Sequence, residues 1–383
     1  MINQGKFVQL LNSLGIDFFV GVPDSYLNGF CTYLLENIEE KNNLIAANEG
    51  NAIALAAGYY FSTGKIPMVY LQNSGMGNML NPLLSLADKD VYKVPMVLLI
   101  GWRGEPGTND WAQHKMQGEI TLPLLDLVQI PYIIAENNDE LLGLQVINLV
   151  DIAKTERKPV AIVAKKNVFT TEKKGSLIPD NRFPLFREEA IEAILDIMPK
   201  DSIFVATTGR ATRELYFLRE RRNEGHEHDF LNVGSMGHTS SVAFTIALAN
   251  PQRNVICLDG DSAALMHLGA FSMVSKVNVP NLLHVVLNNG AHESVGGQPS
   301  AGMRVDFTTI AHGCGYATIG GAICSKTEIE DSIQKLSGRM NAGFIDIHIK
   351  NGMLGKLPPL NISHEQLITD LMNELISNKE EKK

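Results

Sequence analysis

Two groups of residues in this 383-residue chain have the types and spacing that chemistry requires. The first is Asp259-Gly260-Asp261-Ser262-Ala263, followed 27 residues after Asp261 by Asn288-Asn289. Carboxylate and amide oxygens are hard ligands, so the pair suits Mg²⁺ before zinc or copper, with phosphate and water as the ion's remaining partners. Gly260 lets backbone amides approach a phosphate, and a helix starting near Ala264 turns its positive end the same way. Taken singly, each half also reads as a plain turn, with Asp261 as a helix cap; the two at this spacing favour the ion. The second group is Glu49-Gly50-Asn51-Ala52-Ile53-Ala54-Leu55-Ala56-Ala57-Gly58-Tyr59, an Ala-rich helix opened by a carboxylate. Alone, Glu49 is a charge favoured by the helix dipole.

These groups need a scaffold that brings strand ends together. Short β-branched or aromatic runs alternate with amphipathic helical segments throughout, the pattern of a parallel α/β fold. The strands expected are 17–20, 43–46, 66–71, 96–101, 132–135 and 160–164 in the first half. The second half offers 202–206, 229–232, 254–259, 282–288, 316–319 and 344–349. In a parallel sheet the carboxyl ends share one edge, where an aspartate and an asparagine from two strands can converge on one ion. Polar, broken sequence around 170–184 reads as a linker, and a helix follows from Arg187 to Pro199. The division is therefore 1–170, linker 171–185, and 186–383, with SNKEEKK as a solvated tail. A formal net charge of −9 argues against nucleic acid or a membrane surface as partner. No apolar run approaches bilayer length, and no signal peptide is recognised. Cys31, Cys257, Cys314 and Cys324 form neither a disulfide framework nor a zinc pattern, which points to the cytoplasm.

On these motifs the chain resembles the thiamine diphosphate-dependent enzymes. The resemblance implies two thiamine diphosphate-binding-type domains, each a mainly parallel six-stranded sheet with helices on both faces, and no inserted central domain. It implies that Asp261, Asn289 and the carbonyl of Ala291 hold Mg²⁺, and that Glu49 contacts N1′ of the cofactor's aminopyrimidine. A proton shared there lets the 4′-amino group activate the thiazolium C2. Phe19–Ser25, Gln72–Asn78 and Gly234–His238 resemble the remaining active-site loops. Asn73, Asn78, Thr207, Gly209, Ser235, Gly260, Ser262 and Ala263 then line the cofactor, and Met236 is the apolar wedge beneath it. Without the resemblance Met236 is core packing and Thr207 a helix cap. The family's usual second glycine is Ser262 here, a substitution that either strains the turn or adds a hydroxyl.

The short linker and the segments Gly101–Gly107, Asp110–His114 and Asn288–Ser294 resemble a two-domain subgroup of the decarboxylase branch. That implies an anionic 2-oxo acid substrate: 3-phosphonopyruvate, split to phosphonoacetaldehyde and CO₂, with sulfopyruvate or another 2-oxo acid as the alternative. Substrate candidates are Arg103 and His114, then His292, Asp24 and Ser25, with Arg304 as a further cation. Against these roles, Arg103 can pair with Glu105, His114 can be satisfied within its loop, and His292 can simply pack. In the family the cofactor lies where subunits meet, which implies a homodimer or higher homo-oligomer. A reading from another class is a non-catalytic phosphate- or nucleotide-binding regulator. It lacks a Gly-x-Gly-x-x-Gly motif after the first strand and leaves Glu49 without a purpose.

Overall fold

The computed structural model describes residues 1–169, 182–357 and 360–380. All twelve expected strands are present, with ends shifted by at most two residues. In the first half they are β1 (Phe19–Gly21), β2 (Asn43–Ile45), β3 (Met68–Gln72), β4 (Val97–Gly101), β5 (Tyr132–Ala135) and β6 (Val160–Ala164). Their order in the sheet is β2-β1-β3-β4-β6-β5, parallel throughout. In the second half they are β7 (Ile203–Ala206), β8 (Asp229–Leu231), β9 (Val255–Gly260), β10 (Leu282–Asn288), β11 (Ala317–Thr318) and β12 (Gly343–His348). That sheet runs β11-β12-β10-β9-β7-β8, again parallel. Two-residue strands at Ala291–His292 and Gln298–Pro299 were not anticipated.

The apolar runs exist because both faces of each sheet are covered. Met68, Tyr70, Val97 and Leu99 face one core of the first sheet, while Val69, Leu71, Leu98 and Ile100 face the other. In the second sheet Ile256, Leu258, Leu283 and Val285 alternate in the same way with Val255, Cys257, Leu282 and Val286. Each such aliphatic side chain stabilises the fold by roughly 1.5–3 kcal/mol on burial. A one-residue slip of register would turn every one of them to the wrong face.

The chain divides into two compact units, one from Met1 to Leu177 with Ser294–Gln298, the other Ile178–Glu293 with Pro299–Lys383. The expected linker 171–185 falls largely on residues 170–181, outside the described residues. The helix after it spans Arg187–Ile197, as its periodicity predicts. Among the described residues no helix is long and apolar enough to cross a membrane.

Candidate active site

In the first unit the predicted residues sit at the carboxyl ends of the adjacent strands β2, β1, β3 and β4. Glu49 opens the helix Glu49–Thr63, but Asn48 is the cap, its side chain accepting from the amide of Asn51 at 2.9 Å. The Glu49 carboxylate is therefore not consumed by capping. It is buried, at 5% exposure, and accepts from Nδ2 of Asn78 at 2.8 Å. Gly75 packs so close that any Cβ there would overlap this carboxylate, so the turn after β3 requires glycine. Asn73 spends its side chain on the neighbouring loop: Nδ2 donates to the carbonyl of Arg103 at 2.8 Å and to Thr121 Oγ1 at 2.9 Å, while Oδ1 accepts from Arg103 N at 3.1 Å.

Four of the substrate candidates, Asp24, Ser25, Arg103 and His114, lie in the same unit. Asp24, fully buried after β1, accepts from the Gln72 amide and from Tyr26 N at 3.0 Å. Burial pushes its carboxyl above the usual range against those donors. Arg103 does not pair with Glu105, which lies instead 3.3 Å from Lys165. Its partner is Asp110, gripped by Nε at 2.7 Å and Nη2 at 2.5 Å, while Nη1 donates to Ser25 Oγ at 3.1 Å. The guanidinium also stacks 4.9 Å from the Tyr26 ring centre. Burial raises Asp110, but the donors Arg103, Trp111 N and Gly104 N outweigh it and hold the carboxyl well below the usual range. His114 lies in the first turn of the helix Ala112–Leu127, its Nδ1 buried with no partner among the described residues. Burial, then the Arg103 charge, pushes this imidazole down to about 4, so it is neutral at physiological pH.

The second unit repeats the arrangement on β8, β7, β9 and β10. Ser235 (φ 46°) and Met236 follow β8, and Met236 is half-buried. Thr207 follows β7; it does not cap the next helix, whose cap is Gly209 (φ 103°), and its hydroxyl is buried with no partner among the described residues. The helix after β9 starts at Asp261, three residues earlier than Ala264, because Gly260 is already its cap. Ser262 and Ala263 consequently lie in regular helix, and serine at 262 imposes no left-handed strain. The two aspartates of the turn separate: Asp259 bonds His284 within the core at 3.3 Å, and Asp261 takes a hydrogen bond from Ser300 Oγ. Gly302 packs against Asp261 and Asn288; a Cβ on it would lie 2.5 Å and 2.7 Å from their oxygens.

Asn288 and Asn289 have distinct jobs. Asn288 donates to the Gly302 carbonyl at 3.0 Å and accepts from Gly290 N at 3.2 Å, which fixes the loop. Asn289 accepts from Ala291 N at 3.2 Å and donates through Nδ2 to Glu293 at 3.2 Å. Burial raises the Asp261 carboxyl to about 6, although donors including Ser300 and the Asn289 backbone oppose this. His292, next in the same loop, is pushed down to about 4 by burial. Arg304 lies exposed in the turn Gly302–Arg304.

The two halves fit the cofactor the motifs imply. A buried carboxylate, driven toward protonation by burial, suits an oxygen-ligated divalent ion, and the Thr207 hydroxyl, buried with no partner among the described residues, suits a phosphate oxygen. Gln72, Tyr26, Asp110, Ser300 and Glu293 carry no functional signal in the sequence; Asp110, Ser300 and Glu293 are polar residues on loops, with no periodicity to mark them.

Comparison with known proteins gives the family. Residues 5–127 match the family described as thiamine pyrophosphate enzyme, N-terminal TPP binding domain, and residues 207–348 match its C-terminal TPP binding domain. The chain is 33% identical over 371 residues to a phosphonopyruvate decarboxylase of Streptomyces viridochromogenes, covering 93% of this chain and 91% of the relative. It is 32% identical over 376 residues to the enzyme of that name from Streptomyces hygroscopicus, covering 93% and 90%. A sulfopyruvate decarboxylase of Methanosarcina acetivorans is 27% identical over 368 residues, covering 91% of each chain. With both cofactor-binding domains in order on one polypeptide, the chain belongs to the thiamine pyrophosphate enzymes and is a thiamine diphosphate-dependent 2-oxo acid decarboxylase, a carboxy-lyase.

Proposed function

We propose that the protein converts 3-phosphonopyruvate to phosphonoacetaldehyde and CO₂ with Mg²⁺ as the cofactor's anchor. The observation that carries this reading is its likeness, over nine-tenths of both chains, to relatives bearing the name phosphonopyruvate decarboxylase. Thiamine diphosphate, when bound, supplies the nucleophilic carbon and the electron sink for carboxylate loss. Glu49 holds the proton at the pyrimidine N1′, and Asn78 fixes the orientation of its carboxylate. Asp261, Asn289 Oδ1 and the Ala291 carbonyl hold the ion; Thr207, Gly209 and the Gly260–Ala263 turn meet the diphosphate. Ser235 would contact the cofactor and Met236 would serve as its apolar wedge, while Asn73 would line the cofactor and braces the loop at Arg103.

Substrate contact falls to Asp24, Ser25, Arg103, His114 and His292. Because Asp110 takes two of its nitrogens, Arg103 acts on an anion mainly through Nη1 and Ser25. His114 and His292, neutral at physiological pH, act as hydrogen-bonding groups rather than as cations. The enzyme works as a homo-oligomer that shares cofactor sites between copies, with the apolar outer side of helix Glu49–Thr63, where Leu55 and Phe61 are exposed, as a contact face. Its four cysteines, none disulfide-bonded, suit the cytoplasm. Steady-state kinetics with phosphonopyruvate, sulfopyruvate and pyruvate test the substrate: phosphonopyruvate should have the highest kcat/KM, and a higher value for either competitor overturns the assignment.

A further inference from the structure

Glu293 lies at the centre of a buried network that the cofactor chemistry does not itself require. Its Oε2 accepts from Arg187 Nη2 at 2.5 Å and from Asn289 Nδ2 at 3.2 Å. Its Oε1 accepts from Arg210 and from the amide of Gly352. A carboxylate offers about four acceptor sites. Here all are used, by donors from four separate segments: the helix after the linker, the helix after β7, the loop after β10 and the loop after β12. Arg187 is shared further with Glu214 at 3.2 Å, and the nearby Asp261 carboxylate adds to the negative surroundings that favour its charged form.

An asparagine can bind a cation only through its oxygen, and the amide has two orientations of nearly equal shape. At Asn289 the choice is forced from both ends. Turning the amide over would set its NH₂ against the Ala291 amide and its oxygen against the Glu293 carboxylate, replacing two attractions by two repulsions. Glu293 also pairs with both Arg187 and Arg210, offsetting part of the positive charge they bring beside an ion site.

We propose that Glu293 is a positioning residue for the divalent cation, holding the Asn289 amide with its oxygen presented to the ion. This rests on the reading of Asp261 and Asn289 as ligands, and the test separates the two. Mn²⁺ affinity is measured by electron paramagnetic resonance of the free ion, with thiamine diphosphate present and no substrate, on the full-length protein. Glu293→Gln should weaken Mn²⁺ binding by about 10- to 100-fold, the usual cost of removing an outer-shell partner. In an Asn289→Ala background the same change should have little further effect, since its target is gone. Should the Gln variant not fold, Glu293→Asp keeps the charge but cannot reach all four donors, and it should still weaken Mn²⁺ binding several-fold. Unchanged affinity in Glu293→Gln, or in a folded Glu293→Asp, overturns the proposal, as do effects that simply add in the double variant. Asp261→Ala, run alongside, tells which reading has failed. If it leaves Mn²⁺ affinity intact, the metal assignment is wrong; if only the Glu293 variants leave it intact, the metal assignment stands and the positioning role falls.

Discussion

The first sheet runs β2-β1-β3-β4-β6-β5, and the second, read from its far edge, runs β8-β7-β9-β10-β12-β11. In each, the second, first, third and fourth strands carry the site residues at their carboxyl ends. Yet the two edges hold different chemistry. In the first unit a buried carboxylate, Glu49, meets a neutral amide, Asn78. In the second, Asp261 is buried beside a hydroxyl, and a charged network of Arg187, Arg210, Glu214 and Glu293 stands behind its neighbour Asn289. Topology decides where a side chain stands, whereas the immediate donors set the electrostatic surroundings that its carboxylate meets.

The largest effect that would sharpen this contrast is on proton handling. Glu49→Gln should slow exchange of the cofactor's C2 proton, followed by NMR after acid quench, by about 10²- to 10⁴-fold, while cofactor binding persists. Near-normal exchange would break the assignment of the first edge. Asp261→Ala should do the reverse, weakening Mg²⁺-dependent cofactor retention by more than about 100-fold, since a direct ligand matters more than an outer-shell partner. Retention after gel filtration in Mg²⁺ reads this out.

A stability effect of opposite sign comes next. Without metal, burial raises Asp261 to about 6 from an ordinary value of 3.8. The folded state therefore holds an extra proton between those pH values, and stability declines as pH rises from about 4 to about 6. Asp261→Asn should make the cofactor-free protein more stable by about 2–3 kcal/mol at pH 7, a gain that vanishes below pH 4; urea denaturation across pH checks it. The smallest effect belongs to Ser262→Gly. As position 262 is helical, the change should cost less than about 1 kcal/mol and alter kcat/KM by only a few-fold.

The scaffold was legible because both faces of each parallel sheet are buried, so strands such as Val97–Gly101 are written as unbroken apolar runs. The spacing from Asp261 to Asn289 was legible for the same reason, each residue following such a run. The start of the helix after β9 was misplaced because Gly260, with no side chain to bond, does the capping. The partner of Arg103 was hidden by its loop. Gly104 (φ 69°) lets the chain pass close to His114, and Gly118 packs on the Gly104 backbone, folding Asp110 rather than Glu105 onto the guanidinium. Glu293 sits only four residues beyond Asn289, but three of its donors come from Arg187, Arg210 and Gly352. No local pattern announces a contact assembled from such distant segments.

On the proposed function, Glu49 of one copy and the Asp261–Asn289 pair of another would grip opposite ends of a single cofactor. Co-expressing Glu49→Gln and Asp261→Ala chains under different affinity tags, and purifying through both, isolates the hybrid. Each parent should be nearly inactive, and the hybrid should recover up to half of wild-type activity per dimer, because one of its two sites draws only intact residues. A hybrid of verified composition that stays as inactive as its parents would contradict the account.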